Sequence, residues 1–412
     1  MAAATMAISA AARDLKADLS IEHDLWWNAP EQPTVKFTVA DTLGHANTSA
    51  LTFYLTTDTD QSHKLLTVNE KLHIPAGQTQ EIVYDITVPG PGFYRCTIED
   101  DGNVIKQFNI GYEPTMAFSL PDAHPDYDAF WARALNQLKA QPGEFTMDLD
   151  KEKSGKKRNA YKVTMKSFGG ETIKGMVYIP KKPGKYPAHI YYNGYGAKPW
   201  PFDADGRPEW IEFVTSVRGQ MYSEPDNTYG DYIRYNLDKP EEYYYKGAFM
   251  DAVRAIDFVE QLPQTDTDNI IAEGGSQGGA LTLAAAALSG GRLRAICPYI
   301  PFLTDFRDYF NIVPWPASAV KEAARDLGLT EEQMYSNLTY FDIKNLARKI
   351  TCPVLMGIGL QDPTCPPHTN MASYNLITSP KELVIYPTCG HTVDYSDWNI
   401  RRDNFLKKYL KK

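Results

Sequence analysis

The sequence predicts an α/β architecture, a mostly parallel sheet covered by helices on both faces, preceded by an all-β sandwich. Three observations predict it. Residues 16–112 read as short strands of period-2 alternation separated by turns. Residues 126–412 alternate buried apolar strands with helical segments. A proline-rich stretch, "GYEPTMAFSLPDAHPD", separates the two rhythms, and residues 113–125 are read as the linker. At 412 residues the chain is also too long for one ordinary compact core.

The N-terminal elements follow from the alternation. "PTVKFTVAD" places Val35, Phe37 and Val39 on one face, and "EIVYDITV" does the same with Ile82, Tyr84, Ile86 and Val88. "GFYRCTIED" aligns Tyr94, Cys96 and Ile98, and "DDGN" reads as a hairpin turn into "VIKQFNI". About seven such runs predict an immunoglobulin-like sandwich, each sheet with one buried and one wet face. Ahead of it, residues 1–15 are read as a flexible N-terminus or the remnant of a secretory signal, although "MAAATMAISAAARD" lacks the positive start of such a signal.

In the second half, "DYDAFWARALNQLKA" sets Phe130, Ala134 and Leu138 four residues apart on one helical face. Strands are expected at "KGMVYIP", "YPAHIYYNG", "WIEFVTSVRG", "NIIAEG", "LRAICPYI", "CPVLMGIG" and "KELVIYP". Helices are expected at "KGAFMDAVRAIDFVEQL", "GALTLAAAALS", within 304–349, near 368–377 and at "WNIRRDNFLKKYL". Ligands of such sheets bind beyond the carboxyl ends of the strands, so chemistry is expected in the strand-to-helix turns.

Composition removes some function classes. A net charge of −9 with no Lys/Arg stripe argues against nucleic-acid binding, and "DLDKEKSGKKR", which mixes signs, reads as a solvated turn. No apolar run approaches the roughly 18 residues of a membrane span. The five cysteines form no CxxC pair, so neither a zinc site nor a disulfide framework is indicated.

One stretch carries the chemistry. "IIAEGGSQGGALTLAAAALS" reads as strand, turn and helix, and Gly274-Gly275-Ser276-Gln277-Gly278 matches the G-x-S-x-G nucleophile elbow. Gly274 and Gly278 make room where side chains would strike strand or helix, which leaves the Ser276 hydroxyl raised above the sheet. Proteins using this turn carry nucleophile, acid and histidine in that chain order. Asp362 follows the next-to-last strand and His391 follows the last. Turn aspartates and single histidines are common alone; the order and the placement at strand ends single these out. His391 would take the Ser276 proton and Asp362 would hold the imidazole in its working tautomer. His23, His45, His63 and His73 lie in the sandwich, His124 at the boundary, His189 inside a strand and His368 at a helix start. An oxyanion needs two backbone donors. The Gln277 amide is one, and the Tyr195 amide is the candidate for the other, in a turn that otherwise reads as a plain glycine-rich loop.

The stretch "YYYKGAFMDAVRAIDFVEQLPQTDTDNIIAEGGSQGGALTLAAAALS", with "RGQ" at 218–220, "PFLTDF" and "PVLMGIGLQDPTCPPHTNMASYN", closely resembles the acetyl xylan esterase / cephalosporin C deacetylase family of α/β-hydrolases. The likeness runs from about Asp126 to the C-terminus. It implies an α/β-hydrolase that removes acetyl groups from xylo-oligosaccharides and similar small acetylated compounds, with no metal or other cofactor. It also implies Ser276, Asp362 and His391 as the triad, and the Tyr195 and Gln277 amides as oxyanion donors. Arg218 and Gln220 match the family's Arg-Gly-Gln signature and are expected to support the nucleophile turn by hydrogen bonding, with contact to substrate as the alternative. The chain departs from the family at Thr392, where glutamate is usual, and at Asn193, where histidine is usual; the glycine normally following the signature is missing. Members often form closed oligomers, so a homo-oligomer is an open expectation that the added sandwich could block.

Cys365 and Cys389 flank the acid and the base; two packed thiols are expected, with a disulfide the alternative in an oxidising compartment. Polysaccharide chemistry points to a periplasmic or secreted enzyme, with a cytoplasmic one as the alternative. Competing functions are a feruloyl or aryl esterase, a peptidase of the same fold, and a carbohydrate-binding protein with an inert hydrolase half.

Overall fold

The computed structural model describes residues 15–42, 46–200 and 202–411; segment 1–14 and His45 lie outside them. The chain divides into two compact units, up to Ala117 and from Phe118 onward. Part of the segment read as a linker belongs to the second unit. The Asp122 amide donates to Asn345 Oδ1 at 3.0 Å, and His124 Nε2 meets the Ser336 carbonyl at 2.7 Å.

The first unit consists of β1 (Leu15–Leu19), β2 (Trp26–Trp27), β3 (Thr34–Asp41), β4 (Asn47–Thr57), β5 (Lys64–Ile74), β6 (Thr79–Asp85), β7 (Gly92–Asp100) and β8 (Asn103–Tyr112). They form sheets of order β1-β3-β6 and β2-β8-β7-β4-β5, antiparallel except for the short β2–β8 pairing. The alternation decides the core. Val35, Phe37 and Val39 are fully buried while Val83, on the other face of β6, is half exposed. Phe53 of β4 and Tyr84 of β6 join the two sheets with ring centroids 4.9 Å apart. The β7–β8 hairpin turns at Asp101 and Gly102, both at positive φ as a two-residue hairpin of this hand requires.

The second unit is built on one nine-stranded sheet. Its strands are β9 (Thr146–Asp150), β10 (Arg158–Lys166), β11 (Thr172–Pro180), β12 (Tyr186–Tyr192), β13 (Ile211–Thr215), β14 (Thr265–Gly275), β15 (Ala295–Tyr299), β16 (Val354–Gly359) and β17 (Lys381–Tyr386). The order is β17-β16-β15-β14-β12-β13-β11-β10-β9. From β13 to β17 neighbouring strands pair in parallel, and β9 to β11 add an antiparallel edge. The helices are α1 (Tyr127–Ala140), α2 (Tyr244–Glu260), α3 (Gln277–Leu288), α4 (Phe306–Ile312), α5 (Ala317–Asp326), α6 (Glu331–Thr339), α7 (Ile343–Leu346), α8 (Pro367–Leu376) and α9 (Tyr395–Tyr409). Every residue of α3 is buried, and its alanines and glycines let it lie close against the sheet. No helix among the described residues is long and apolar enough to cross a membrane.

Two sequence expectations change here. The strands β9 and β10 were not foreseen, and "DLDKEKSGKKR" is not wholly solvated. Its last residue, Arg158, starts β10 with none of its surface exposed. The guanidinium meets Glu212 at 2.6 Å and donates to the carbonyls of Asp203 and Ala204. A charge run reads as solvated unless its partners, here 45 to 54 residues away, are known.

Candidate active site

The strand β14 ends at Gly275 and α3 begins at Gln277, so Ser276 alone makes the turn, at φ 57° and ψ −121°. This conformation is costly for any residue with a Cβ and survives only where neighbours impose it. They do: the Ser276 amide donates to the Tyr299 carbonyl at 3.1 Å, and the Phe302 amide donates to the Ser276 carbonyl at 3.0 Å. A Cβ on Gly274 would lie 2.5 Å from the backbone of Gly278, and one on Gly278 would strike the Tyr192 carbonyl. The glycines at these two positions are therefore required by close approach.

Ser276 Oγ lies 3.0 Å from His391 Nε2. On the other side of the ring, Nδ1 lies 2.8 Å from Asp362 Oδ2. Asp362 is buried, and its Oδ1 accepts the amides of Thr364 and Cys365 at 2.8 and 2.9 Å, which fixes the carboxylate. With Nδ1 donating to the carboxylate, Nε2 is the acceptor for the serine proton. Asp362 follows β16 and His391 follows β17, so parallel pairing of β14 through β17 carries all three groups to the same edge of the sheet.

The segments carrying the expected oxyanion donors both border the nucleophile. Tyr195, Ser276 and His391 line one cavity of about 230 Å³, and Gln277 is the first residue of α3, whose positive end points at the serine. Gln220 connects the two donor segments. Its Oε1 accepts from the Gly196 amide at 3.2 Å and from Gln277 Nε2 at 3.0 Å. Asn193 Nδ2 donates to the same oxygen at 3.1 Å, so the residue replacing the usual histidine still ties this turn to the Arg-Gly-Gln loop. Arg218 does not bond the nucleophile turn. Its guanidinium pairs with Asp251 at 2.8 Å and reaches the Phe168 carbonyl, fastening that loop to α2.

Sequence reasoning missed the group beneath the elbow. Glu273, directly before Gly274, is buried and receives Trp398 Nε1 at 2.8 Å and Arg402 at 3.1 Å, while His189 Nε2 faces it at 3.0 Å. A charged residue directly after the apolar run Ile270-Ile271-Ala272 was the available signal. Burial alone would raise the Glu273 pKa, but Arg402, then His189 and Trp398, hold it down at about 2. Burial pushes His189 down to about 4, against the pull of Glu273. Arg207 donates to His189 Nδ1, so the neutral ring carries its proton on Nε2, toward Glu273.

A pH dependence of stability follows. The unfolded chain binds a proton at His189 near its ordinary 6.5, whereas the folded chain waits until about 4. Unfolding free energy should therefore fall as pH drops from 6.5 to 4, by up to about 3 kcal/mol at the limiting slope for one proton. Glu273 extends the loss below its ordinary 4.5. Denaturant unfolding at pH 5 and pH 7 measures this, and His189→Gln should flatten the slope; an unchanged slope would reject the assignment.

The rest of the cavity lining was also unforeseen. Phe302, Tyr309 and Trp315 come from the helical region after β15, Ile233 from the long loop before α2, and Cys365 from the Asp362 loop. Cys365 Sγ lies 3.9 Å from Ser276 Oγ. All five cysteines are free, Cys365 and Cys389 included. Burial first, and the Asp362 charge second, push the Cys365 thiol well up, which keeps it protonated beside the nucleophile. Two groups among the described residues have ligand spacing for a cation. One is Cys365 with the Asp362–His391 pair; the other is Asp305, Asp308 and His368, in which His368 already meets Asp308 at 3.1 Å.

Residues 117–409 match the family described as acetyl xylan esterase (AXE1), so the match begins where the sandwich ends. Acetyl esterase Axe7A of Xylanibacter ruminicola is 29% identical over 339 residues, covering 79% of this chain and 76% of that protein. Among solved structures, an acetyl xylan esterase from a Paenibacillus species aligns with a TM-score of 0.67 at 30% identity, over 72% of this chain and 98% of its own. Acetyl xylan esterase 1 from a Thermoanaerobacterium species aligns at 0.66 and 26%, with the same coverage. With the nucleophile turn, the acid and the base assembled on an α/β-hydrolase sheet, the chain belongs to the acetyl xylan esterase family.

Proposed function

We propose that the protein is a serine carboxylesterase that removes O-acetyl groups from acetylated xylo-oligosaccharides and related small acetylated compounds. The observation that carries this reading is the continuous hydrogen-bonded line Ser276–His391–Asp362 at 3.0 and 2.8 Å, in a chain of this family. His391 Nε2 takes the Ser276 proton as Oγ attacks the acetyl carbonyl. The Tyr195 and Gln277 amides hold the negative oxygen, with Gln220 keeping their segments in place. His391 then returns the proton to the departing sugar oxygen, leaving acetyl-Ser276. Water, deprotonated by the same imidazole, releases acetate. Asp362 stays ionised and stabilises the imidazolium at each stage.

Acetyl selectivity is supported by the crowding around Ser276. Phe302, Tyr309 and Cys365, all buried, line the cavity beside the nucleophile, with Cys365 Sγ 3.9 Å from Ser276 Oγ. Turnover of acetyl, butyryl and feruloyl esters tests this. Acetyl esters should lead butyryl esters by about tenfold or more in kcat/KM, since each extra buried methylene is worth about 1–3 kcal/mol of discrimination. Faster turnover of feruloyl esters would overturn the acetyl reading in favour of a feruloyl esterase.

A further inference from the structure

Outside the catalytic centre, three side chains of ligand type converge. Asp305 stands directly before α4, Asp308 lies in the first turn of that helix, and His368 is the second residue of α8. One ligand atom from each lies within 4.8 Å of the other two. None of the three has a task in the ester chemistry.

A second observation points to a ligand. Asp305 is 1% exposed, and its Oδ1 receives Lys344 Nζ at 2.8 Å. Its Oδ2 is buried with no hydrogen-bond partner among the described residues. An unpaired carboxylate oxygen in the interior is costly, and such atoms are normally met by a donor or an ion. Lys344 fixes the carboxylate and leaves Oδ2 as the oxygen that can bind. The surrounding charge also favours a cation. Asp342 accepts the Asp305 and Phe306 amides, and Asp122 lies 3.6 Å from Lys344. Arg307, the other nearby cation, is taken up by Glu332. We propose that Asp305, Asp308 and His368 bind a divalent cation of the zinc type, which ties α4 to α8.

The donor set selects the ion. One imidazole nitrogen with two carboxylate oxygens suits zinc or a neighbouring transition metal, whereas calcium calls for a larger shell made of oxygen alone. Zinc bonds of about 2.0–2.2 Å in a tetrahedron hold neighbouring ligand atoms roughly 3.2–3.6 Å apart. His368 Nε2 and Asp308 Oδ2 already stand 3.1 Å apart, so little opening is needed to admit the ion between them. Both side chains are half-buried, which gives the ion an entry from solvent. The two segments are also held together beforehand, because Thr304 Oγ1 donates to the Thr369 carbonyl and Asn370 Nδ2 to the Pro301 carbonyl. Tyr309, next to Asp308, and Cys365, three residues before His368, line the catalytic cavity. The ion would therefore steady a wall of that cavity without joining the reaction, and the assignment does not depend on which ester is cleaved.

The test uses the full-length protein, stripped with a chelator and titrated with cobalt chloride and then zinc chloride. Cobalt should bind with weak visible bands alone, the pattern of oxygen and nitrogen ligands. Zinc should displace it and raise the melting temperature, since an ion that binds only the folded chain stabilises it. Asp308→Asn and His368→Gln should each weaken this binding at least about tenfold, because even a group that only supports a ligand is worth about 10–100-fold in metal affinity. Each should also abolish the rise in melting temperature. Melting of the metal-free variants checks that they fold, and the cobalt spectrum of the parent tests the site without any substitution. A single bound cobalt with an intense near-ultraviolet sulfur-to-metal band would place the ion on Cys365, beside Asp362 and His391. That result overturns the site, as do equal affinities in parent and variants, or no binding at millimolar metal.

Discussion

Ser276→Ala should lower kcat by about 10⁴- to 10⁶-fold, the range measured when one member of such a triad is removed. The size of the effect comes from replacing the covalent route altogether. Cys365, the thiol 3.9 Å from Oγ, is kept protonated by burial and does not replace it. The fold should survive, because alanine and serine pose the same steric problem at φ 57° and the two backbone bonds that pin the turn do not involve the hydroxyl. KM should change little, since the cavity walls and the oxyanion amides are untouched. Steady-state kinetics on an acetyl ester, with thermal unfolding as the control, measure this. A variant within tenfold of the parent would remove Ser276 from the mechanism.

Gly278→Ala is the second large effect, and it acts through space that does not exist. The new methyl would fall against the Tyr192 carbonyl, with the Asn193 carbonyl 3.2 Å away, both backbone atoms at the end of the neighbouring strand β12. Neither can rotate aside as a side chain could, so α3 must shift away from the sheet. That shift moves the Gln277 amide and Ser276 together, and a displacement of about 1 Å is expected to reduce kcat/KM about 10²-fold. Forced overpacking should also destabilise the unit by about 1–3 kcal/mol. The variant thus differs from Ser276→Ala in losing stability as well as rate. Full activity with an unchanged melting temperature would show that the elbow has slack the geometry does not display.

Much of the fold was legible because its signals are local. The alternation of Val35, Phe37 and Val39 predicted a buried face, and the four-residue spacing of Phe130, Ala134 and Leu138 predicted α1; both are buried as expected. The elbow was legible because a strand-to-helix turn around one exposed nucleophile tolerates few residues but glycine. Asp362 and His391 were legible by chain order, since the parallel order β14-β15-β16-β17 leaves each successive strand end beside the last. The strands β9 and β10 were not. Their side chains mix exposed Lys162 with buried Arg158, and the ion pair that makes this burial tolerable joins β10 to Glu212 on β13. The Glu273 group escaped notice for the same reason. Its partners His189, Trp398 and Arg402 come from β12 and α9, up to 129 residues away in the chain.

By itself the sequence singled out a hydroxyl, an imidazole and a carboxylate, which the structure brings within hydrogen-bond distance, because such chemistry needs those groups in turns that backbone sterics confine to a few residue types. Only the tertiary structure decided what surrounds those atoms. Gln220 bonds both the Gly196 amide and the Gln277 side chain, and Cys365 and Phe302 line the cavity that also holds Ser276 and His391. Cavities and hydrogen-bond networks depend on distances between residues far apart in the chain. A linear pattern carries period and order but no such distances.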